Sequence, residues 1–336
     1  MKKIIIAILL TLIYFKPVKV EAVSNSSYIL MDAVSGRVLY EKNKDIRFLT
    51  ASIAKIMTTI VAIENGNLFE RYTVDFNAVN TEGSSLYLEE GDEILLYDLL
   101  CGLMLRSGND AATLIANNVF MQYDDFIYQM NYTARRIGMI NSTFENPSGL
   151  NNFSYNHSTA FDMALLTKYA LENEIFYDIS SKKYHRATTL NNTYIWKNKH
   201  KLVSSTDYVK IGKTGYTKES GRTLVSYAEI NNMKLIAVTF NEGNDYNLHK
   251  ILFDRAITDF KDKVVLEKGV YPQELINLDY YPEVRNDINI LVKNDSTIDV
   301  KFNLLEEPNN NCGYFEIFEN NKLIYKDLLY PYYPLS

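Results

Sequence analysis

Residues 50–58 read Thr50-Ala51-Ser52-Ile53-Ala54-Lys55-Ile56-Met57-Thr58, and with the continuation to Glu64 they predict a helix. Ile53, Ile56, Met57, Ile60, Val61 and Ile63 leave almost no polar face, so this helix is expected inside the protein, with Gly66 as its stop. Within the apolar run stand a serine and, three residues on, a lysine, which the helical period sets one turn apart on one face. An ammonium in such surroundings either finds a partner or loses its proton, and a neutral lysine beside a hydroxyl is a base beside a nucleophile. On its own the pair reads more simply, as a lysine snorkelling to water and a serine capping the helix start.

Two further tripeptides shift that balance. Ser107-Gly108-Asn109 falls between a predicted helix over 95–105 and another starting near Asp110, with Gly108 expected to let the backbone turn sharply. Lys213-Thr214-Gly215 lies near the end of a strand-like run over 208–216. Each tripeptide alone says little. A Ser-x-x-Lys, a Ser-Gly-Asn and a Lys-Thr-Gly in this order match the three-part set of penicillin-recognising serine enzymes.

Before the serine helix a hairpin is expected, from Tyr28-Ile29-Leu30-Met31 through a turn at Ser35-Gly36 to Val38-Leu39-Tyr40. Residues 73–92 read as surface loops and short strands, Leu86-Tyr87-Leu88 among them. Residues 124–138 and 159–173 read as helices either side of the loop Asn146-Pro147-Ser148-Gly149-Leu150. The runs 208–216, 223–228 and 234–240, joined by short turns, make an antiparallel meander, and 248–260 a final helix. Strands at both ends with helices between imply an α+β domain, one antiparallel sheet covered by helices. Past Lys261 the helical period gives way to alternating runs at 288–292, 298–304, 314–318 and 323–325, so residues 23–262 are read as the catalytic domain and 263–336 as a small C-terminal β domain. Pro331 and Pro334 forbid an amphipathic helix at the end, and with it lipid binding of that kind.

At the other end, Met1-Lys2-Lys3, an apolar stretch over 4–15 and Val20-Glu21-Ala22 read as a cleaved signal peptide over 1–22, which places the mature chain outside the cytoplasmic membrane. A net charge of -6 and the lack of a basic run give no reason to expect nucleic acid. Cys101 and Cys312 fall in different regions and are expected to be free thiols. His157, His185, His200 and His249 show no ligand spacing, so no metal is expected.

Ser52-Ile53-Ala54-Lys55, Ser107-Gly108-Asn109 and Lys213-Thr214-Gly215, with the flanks Leu103-Met104-Leu105-Arg106, Asp110-Ala111-Ala112 and His157-Ser158-Thr159-Ala160, resemble the D-alanyl-D-alanine carboxypeptidases, the low-molecular-mass penicillin-binding proteins of the S11 peptidase family. The resemblance is close over residues 25–260, and the β-rich tail is similar to that family's C-terminal domain. It implies a penicillin-binding, β-lactamase-like transpeptidase fold and removal of the terminal D-alanine from peptidoglycan pentapeptide stems. It also implies covalent inhibition by β-lactams, no cofactor, and a role in wall maturation or sporulation of a Gram-positive bacterium. Carried onto these positions, Ser52 is the nucleophile, Lys55 its base and Ser107 the proton relay to the departing amine. Asn109 orients the substrate amide, Lys213 and Thr214 take the terminal carboxylate, Gly215 lets the substrate lie close, and the N–H groups of Ser52 and Tyr216 receive the oxyanion. Lowering a lysine from about 10.4 to near 7–8 needs roughly 4 kcal/mol of unfavourable surroundings, which burial supplies for Lys55. Lys213, facing an anionic substrate, is expected to stay charged.

The sequence departs from the family at Ala54, where threonine is usual, at Thr50, where proline is common, and over 241–250, where some relatives carry an arginine for the carboxylate. An amphipathic C-terminal anchor is also missing, which leaves membrane association open. Two other readings compete. A β-lactamase shares the motifs, but Glu145 has no asparagine four residues later to complete a deacylating pair, and the extra β module is foreign to it. A catalytically inactive wall-binding protein would not need both Ser52 and Lys55.

Overall fold

The central strands are apolar on both sides, and each side faces a different layer. The computed structural model describes residues 25–151, 154–271 and 280–333, so the segment 1–22 read as a signal peptide lies outside the described residues. Five antiparallel strands run in the order Val38–Lys42, Ser27–Asp32, Met233–Phe240, Gly221–Ile230, Val209–Thr217. Ser27 stands opposite Phe240, and Lys213 opposite Val225. Ile29, Met31, Ile236 and Val238 turn to a helical core shared with Ile53, Ile56, Met57 and Ile60. Leu30, Leu235 and Ala237 turn the other way, to Leu252, Phe253 and Ala256 of the helix Asp245–Asp259. The strand period of two thus buries an apolar residue on each face, as in the consecutive apolar residues Ile29-Leu30-Met31 and Leu235-Ile236-Ala237-Val238. The sheet is built from both ends of the region with helices between, the α+β arrangement expected.

The serine helix is the hub of the helical layer. It begins as a 3-10 turn, Ala51–Ala54, and continues as the α-helix Lys55–Asn65, buried from Lys55 through Ile63. Around it pack Leu96–Arg106, Asn109–Asn118, Tyr123–Arg136, Ala160–Leu171 and Glu174–Ser181. Gly66 ends it, but with φ −99° in extended backbone, so the left-handed cap is not the reason for a glycine there. Space is: a Cβ on Gly66 would fall 2.6 Å from the Leu96 side chain.

Leu86-Tyr87-Leu88 is not a strand. Tyr87 is left-handed at φ 62°, and the N–H groups of Leu86 and Leu88 go to the Asp110 carboxylate at 2.8 and 3.5 Å instead of to a neighbouring strand. The short strands of that region are Arg71–Thr73 and Glu93–Leu95. Residues 174–205, unassigned from sequence, form the helix Glu174–Ser181, the hairpin Tyr184–Thr188 with Thr193–Lys197, and the helix Lys201–Ser205.

Beyond the helix Asp245–Asp259 the regular structure of the described residues is all β. Phe260–Leu266 pairs with Ile288–Lys293, and a five-stranded sheet runs Gly269–Val270, Tyr281–Val284, Lys322–Tyr332, Gly313–Glu319, Ile298–Leu304. Leu266, Val284, Ile290, Phe315, Ile317 and Leu329 give this region its own core. The tail is strand as far as Tyr332, with Pro331 opposite Pro282. Arg37, from the first hairpin, fastens the two regions by donating to the Leu291 carbonyl and pairing with Glu319. Cys101 and Cys312 are both buried and free.

Candidate active site

Ser52 reaches the surface of the helical core through a strained approach. Ala51 is left-handed at φ 46°, and Gly149 of the loop 146–150 presses on it so closely that a Cβ there would lie 1.8 Å from the Ala51 carbonyl oxygen. The Ser52 side chain caps nothing; the residue sits inside the 3-10 turn, whose first N–H groups have no acceptor within the helix. Val209–Thr217 is the edge strand of the sheet and passes directly beside it: a Cβ on Gly215 would fall 2.8 Å from the Ser52 nitrogen.

One turn on, Lys55 is fully buried. Its Nζ lies 3.1 Å from Ser52 Oγ, 2.7 Å from Asn109 Oδ1 and 2.5 Å from the Ser148 carbonyl oxygen. None of these partners is anionic. Burial pushes Lys55 down to about 7; Asp110 pulls it up somewhat and Lys199 pushes it further down. A neutral amine has two N–H groups and one lone pair. The amide and carbonyl oxygens can only accept, so they take both hydrogens and leave the lone pair for the Ser52 hydroxyl. The Asn109 amide is fixed in turn, because its Nδ2 donates to the Glu82 carbonyl at 2.6 Å.

The sharp turn of the second motif falls at Ser107, left-handed at φ 68°, and not at Gly108, whose φ of −58° is open to any residue. Gly108 is required for room, since a Cβ would stand 2.5 Å from Leu86 Cγ and 2.6 Å from Asp110 Oδ1. The turn aims Ser107 Oγ at Lys213 Nζ, 3.0 Å away, and Lys213 also donates to the Thr214 carbonyl at 2.9 Å. Lys213 departs from expectation. It is only 1% exposed, so burial first, and then the positive charges of Lys55 and Lys199, push it well below its ordinary value. Each of the two buried lysines thus works against the charged form of the other.

The cleft itself has a volume of about 430 Å³ and is lined, from the motifs, by Ser52, Ser107, Thr214, Gly215 and Tyr216, while Lys55, Asn109 and Lys213 are buried close by. All eight residues singled out from sequence therefore meet in one place. The rest of the lining was not foreseen: Lys199, Lys201, Arg222, Asp245 and Tyr246, with Ser84 and Thr223. Arg222 and Asp245 form an ion pair at 2.9 Å, and the Thr223 hydroxyl donates to the Thr50 carbonyl at 3.0 Å. Nothing local in the sequence marks Lys199, Arg222 or Asp245. Among the described residues, Asp245 is the only carboxylate lining the cleft. His200 and His249 flank the Ser226 hydroxyl at 3.0 and 2.8 Å, and burial keeps both neutral. Among the described residues no group of side chains has the arrangement of a metal site.

The sequence model of the S11 peptidase family, described as D-alanyl-D-alanine carboxypeptidase, matches residues 15–244. The chain is 32% identical to the D-alanyl-D-alanine carboxypeptidase DacF of Bacillus subtilis over 221 residues, 64% of this chain and 56% of that one. It is 35% identical to DacC of Escherichia coli over 240 residues, 68% of this chain and 59% of the relative. The chain thus spans less than two thirds of the length of these relatives. Among solved structures, penicillin binding protein 5 from Haemophilus influenzae shares the fold, with a TM-score of 0.78 over 91% of this chain and 96% of that one at 23% identity. A Streptomyces K15 DD-transpeptidase variant, 28% identical, gives a TM-score of 0.63 over 68% of this chain and 95% of its own.

Proposed function

The chain belongs to the D-alanyl-D-alanine carboxypeptidase family, and from that premise we propose that it is an exported serine-type carboxypeptidase, removing the terminal D-alanine from peptidoglycan stem peptides through an acyl-enzyme on Ser52. In this reading residues 1–22 are the export signal, 23–262 the catalytic domain and 263–336 an accessory β domain. The observation that carries it is the buried Lys55 amine, 3.1 Å from Ser52 Oγ with its other two partners both pure acceptors.

Ser52 Oγ attacks the carbonyl carbon between the two D-alanines as Lys55 takes its proton. The oxyanion forms beside the N–H groups of Ser52 and Tyr216, where each donor is worth about 3 kcal/mol in the transition state. Ser107, hydrogen-bonded to Lys213, passes its proton to the nitrogen of the departing D-alanine and is reprotonated by the proton that Lys55 took from Ser52, so that Lys55 is neutral again. Thr214, on the cleft wall, would receive the carboxylate of that residue, and an anion arriving there would favour the protonated form of the buried Lys213 beside it. Water then attacks the ester with Lys55 again as base, and Ser52 is freed. β-Lactams acylate Ser52 by the same geometry, but the opened ring stays attached and blocks that water. A β-lactamase would need a separate carboxylate, and Asp245, the one available in the cleft among the described residues, is committed to Arg222.

The test uses one preparation. A fluorescent penicillin is expected to label the protein at Ser52, with labelling abolished in Ser52→Ala. D-alanine is expected to be released from diacetyl-Lys-D-Ala-D-Ala over many turnovers, while a chromogenic cephalosporin deacylates about a thousandfold more slowly, roughly 4 kcal/mol in barrier. Rapid cephalosporin turnover without D-alanine release would contradict this reading in favour of a β-lactamase, and absence of any label would favour an inactive homologue.

A further inference from the structure

Lys213 is enclosed, with both of its contacts inside the protein. Arg222 is different. It stands on the strand Gly221–Ile230 opposite Tyr216 of the motif strand, and it lines the same cleft as Ser52 and Thr214. Asp245 grips its guanidinium at two points, accepting from Nε at 3.1 Å and from Nη2 at 2.9 Å, and the Tyr246 ring centre lies 5.8 Å from Cζ. The Asp245 side chain is only 3% exposed, whereas Arg222 keeps 44%. A guanidinium carries five N–H groups in a planar fork, so this grip fixes its plane and leaves N–H groups for another acceptor. The segment 241–250 has no arginine of its own; it contributes the aspartate that orients one from the neighbouring strand.

We propose that Arg222, positioned by Asp245, binds the terminal carboxylate of the substrate and sets the enzyme's preference for a free C-terminus. The inference rests on the carboxypeptidase reading, in which the leaving amino acid carries that carboxylate. The guanidinium is charged whether or not the cleft is filled. Thr214, on the motif strand, would then share the carboxylate with Arg222, while Lys213 acts chiefly with Ser107.

The experiment compares the second-order acylation rates of benzylpenicillin and its methyl ester, which differ only in that carboxylate, for the wild-type chain and for Arg222→Gln and Arg222→Lys. A charge-assisted hydrogen bond to the carboxylate predicts that the acid-to-ester ratio falls about tenfold or more in Arg222→Gln, the ester rate of each variant serving as its own reference for the rest of the site. Arg222→Lys, which keeps the charge and loses the fork, is expected to fall in between, and it carries the test if the glutamine variant does not fold. An unchanged ratio in the folded variant overturns the assignment to Arg222 and leaves the acyl-transfer reading standing. A wild-type protein that reacts with neither compound overturns that reading, and this inference with it.

Discussion

Among the described residues, cations are buried at the junction of the two regions and in the cleft, and they are treated in opposite ways. At the junction of the two regions, Arg37 and Glu319 are 9% and 7% exposed, and the cation meets a carboxylate. Burial works against the charged form of Glu319. The Arg37 guanidinium, the Lys293 N–H and the Ser296 hydroxyl outweigh it and hold the carboxyl below its ordinary value. In the cleft, Lys55 and Lys213 are buried more deeply and are given hydroxyl, amide and carbonyl oxygens, never an acid. Arg37 is neutralised by its partner, whereas Lys55 and Lys213 are surrounded by groups that do not require them to be charged.

The contrast breaks most visibly at Lys55. Lys55→Gln keeps a polar side chain near Asn109 and Ser148 but has no basic lone pair, so acylation by penicillin is expected to slow by about a thousandfold. Stopped-flow measurement of fluorescent-penicillin uptake reads this directly, and a loss below tenfold would mean that another group takes the Ser52 proton. Glu319→Gln strikes the other site. It leaves Arg37 buried without its counter-charge and is expected to lower the unfolding free energy by about 3 kcal/mol, with acylation unchanged. The same pair carries a pH signature. A carboxyl held low in the folded state contributes stability above its unfolded value of about 4.5 and loses it as the pH falls through the lower folded value. Denaturant titrations near neutral pH and in that acid range check both statements, and equal stability of variant and wild type would show the junction to be indifferent to its charge.

The sequence was most readable where local pattern and tertiary role coincide. The apolar run 53–63, interrupted by Lys55, Thr58 and Thr59, and the meander 208–240 marked the hub helix and the sheet, because burial on both strand faces and around the helix leaves a compositional trace, while the motifs and their flanks marked the eight residues that meet at the cleft. It was least readable where a residue acts through distant partners. Ser148 serves by its carbonyl, which any residue could supply, so the loop 146–150 looked like a turn and no more. Arg222 and Asp245 are 23 residues apart on a strand and a helix, and only the packing of that helix on the sheet brings them to the cleft. Ser107 misled in a different way: a glycine beside it attracted the turn, whereas crowding by Leu86 and Asp110 is what excludes a side chain at Gly108.

The central claim is that Lys55 is neutral when Ser52 attacks, and the pH dependence of acylation addresses it most directly. With Lys55 brought down to about 7 by burial, the reactive form has an unprotonated amine, so the second-order rate constant for penicillin should rise in proportion to hydroxide below that value and level off above it. A limb that continues to climb toward the ordinary lysine value of about 10.4 would contradict the account, because Lys55 would then be an unperturbed ammonium, and so would a profile flat from pH 5 to 9.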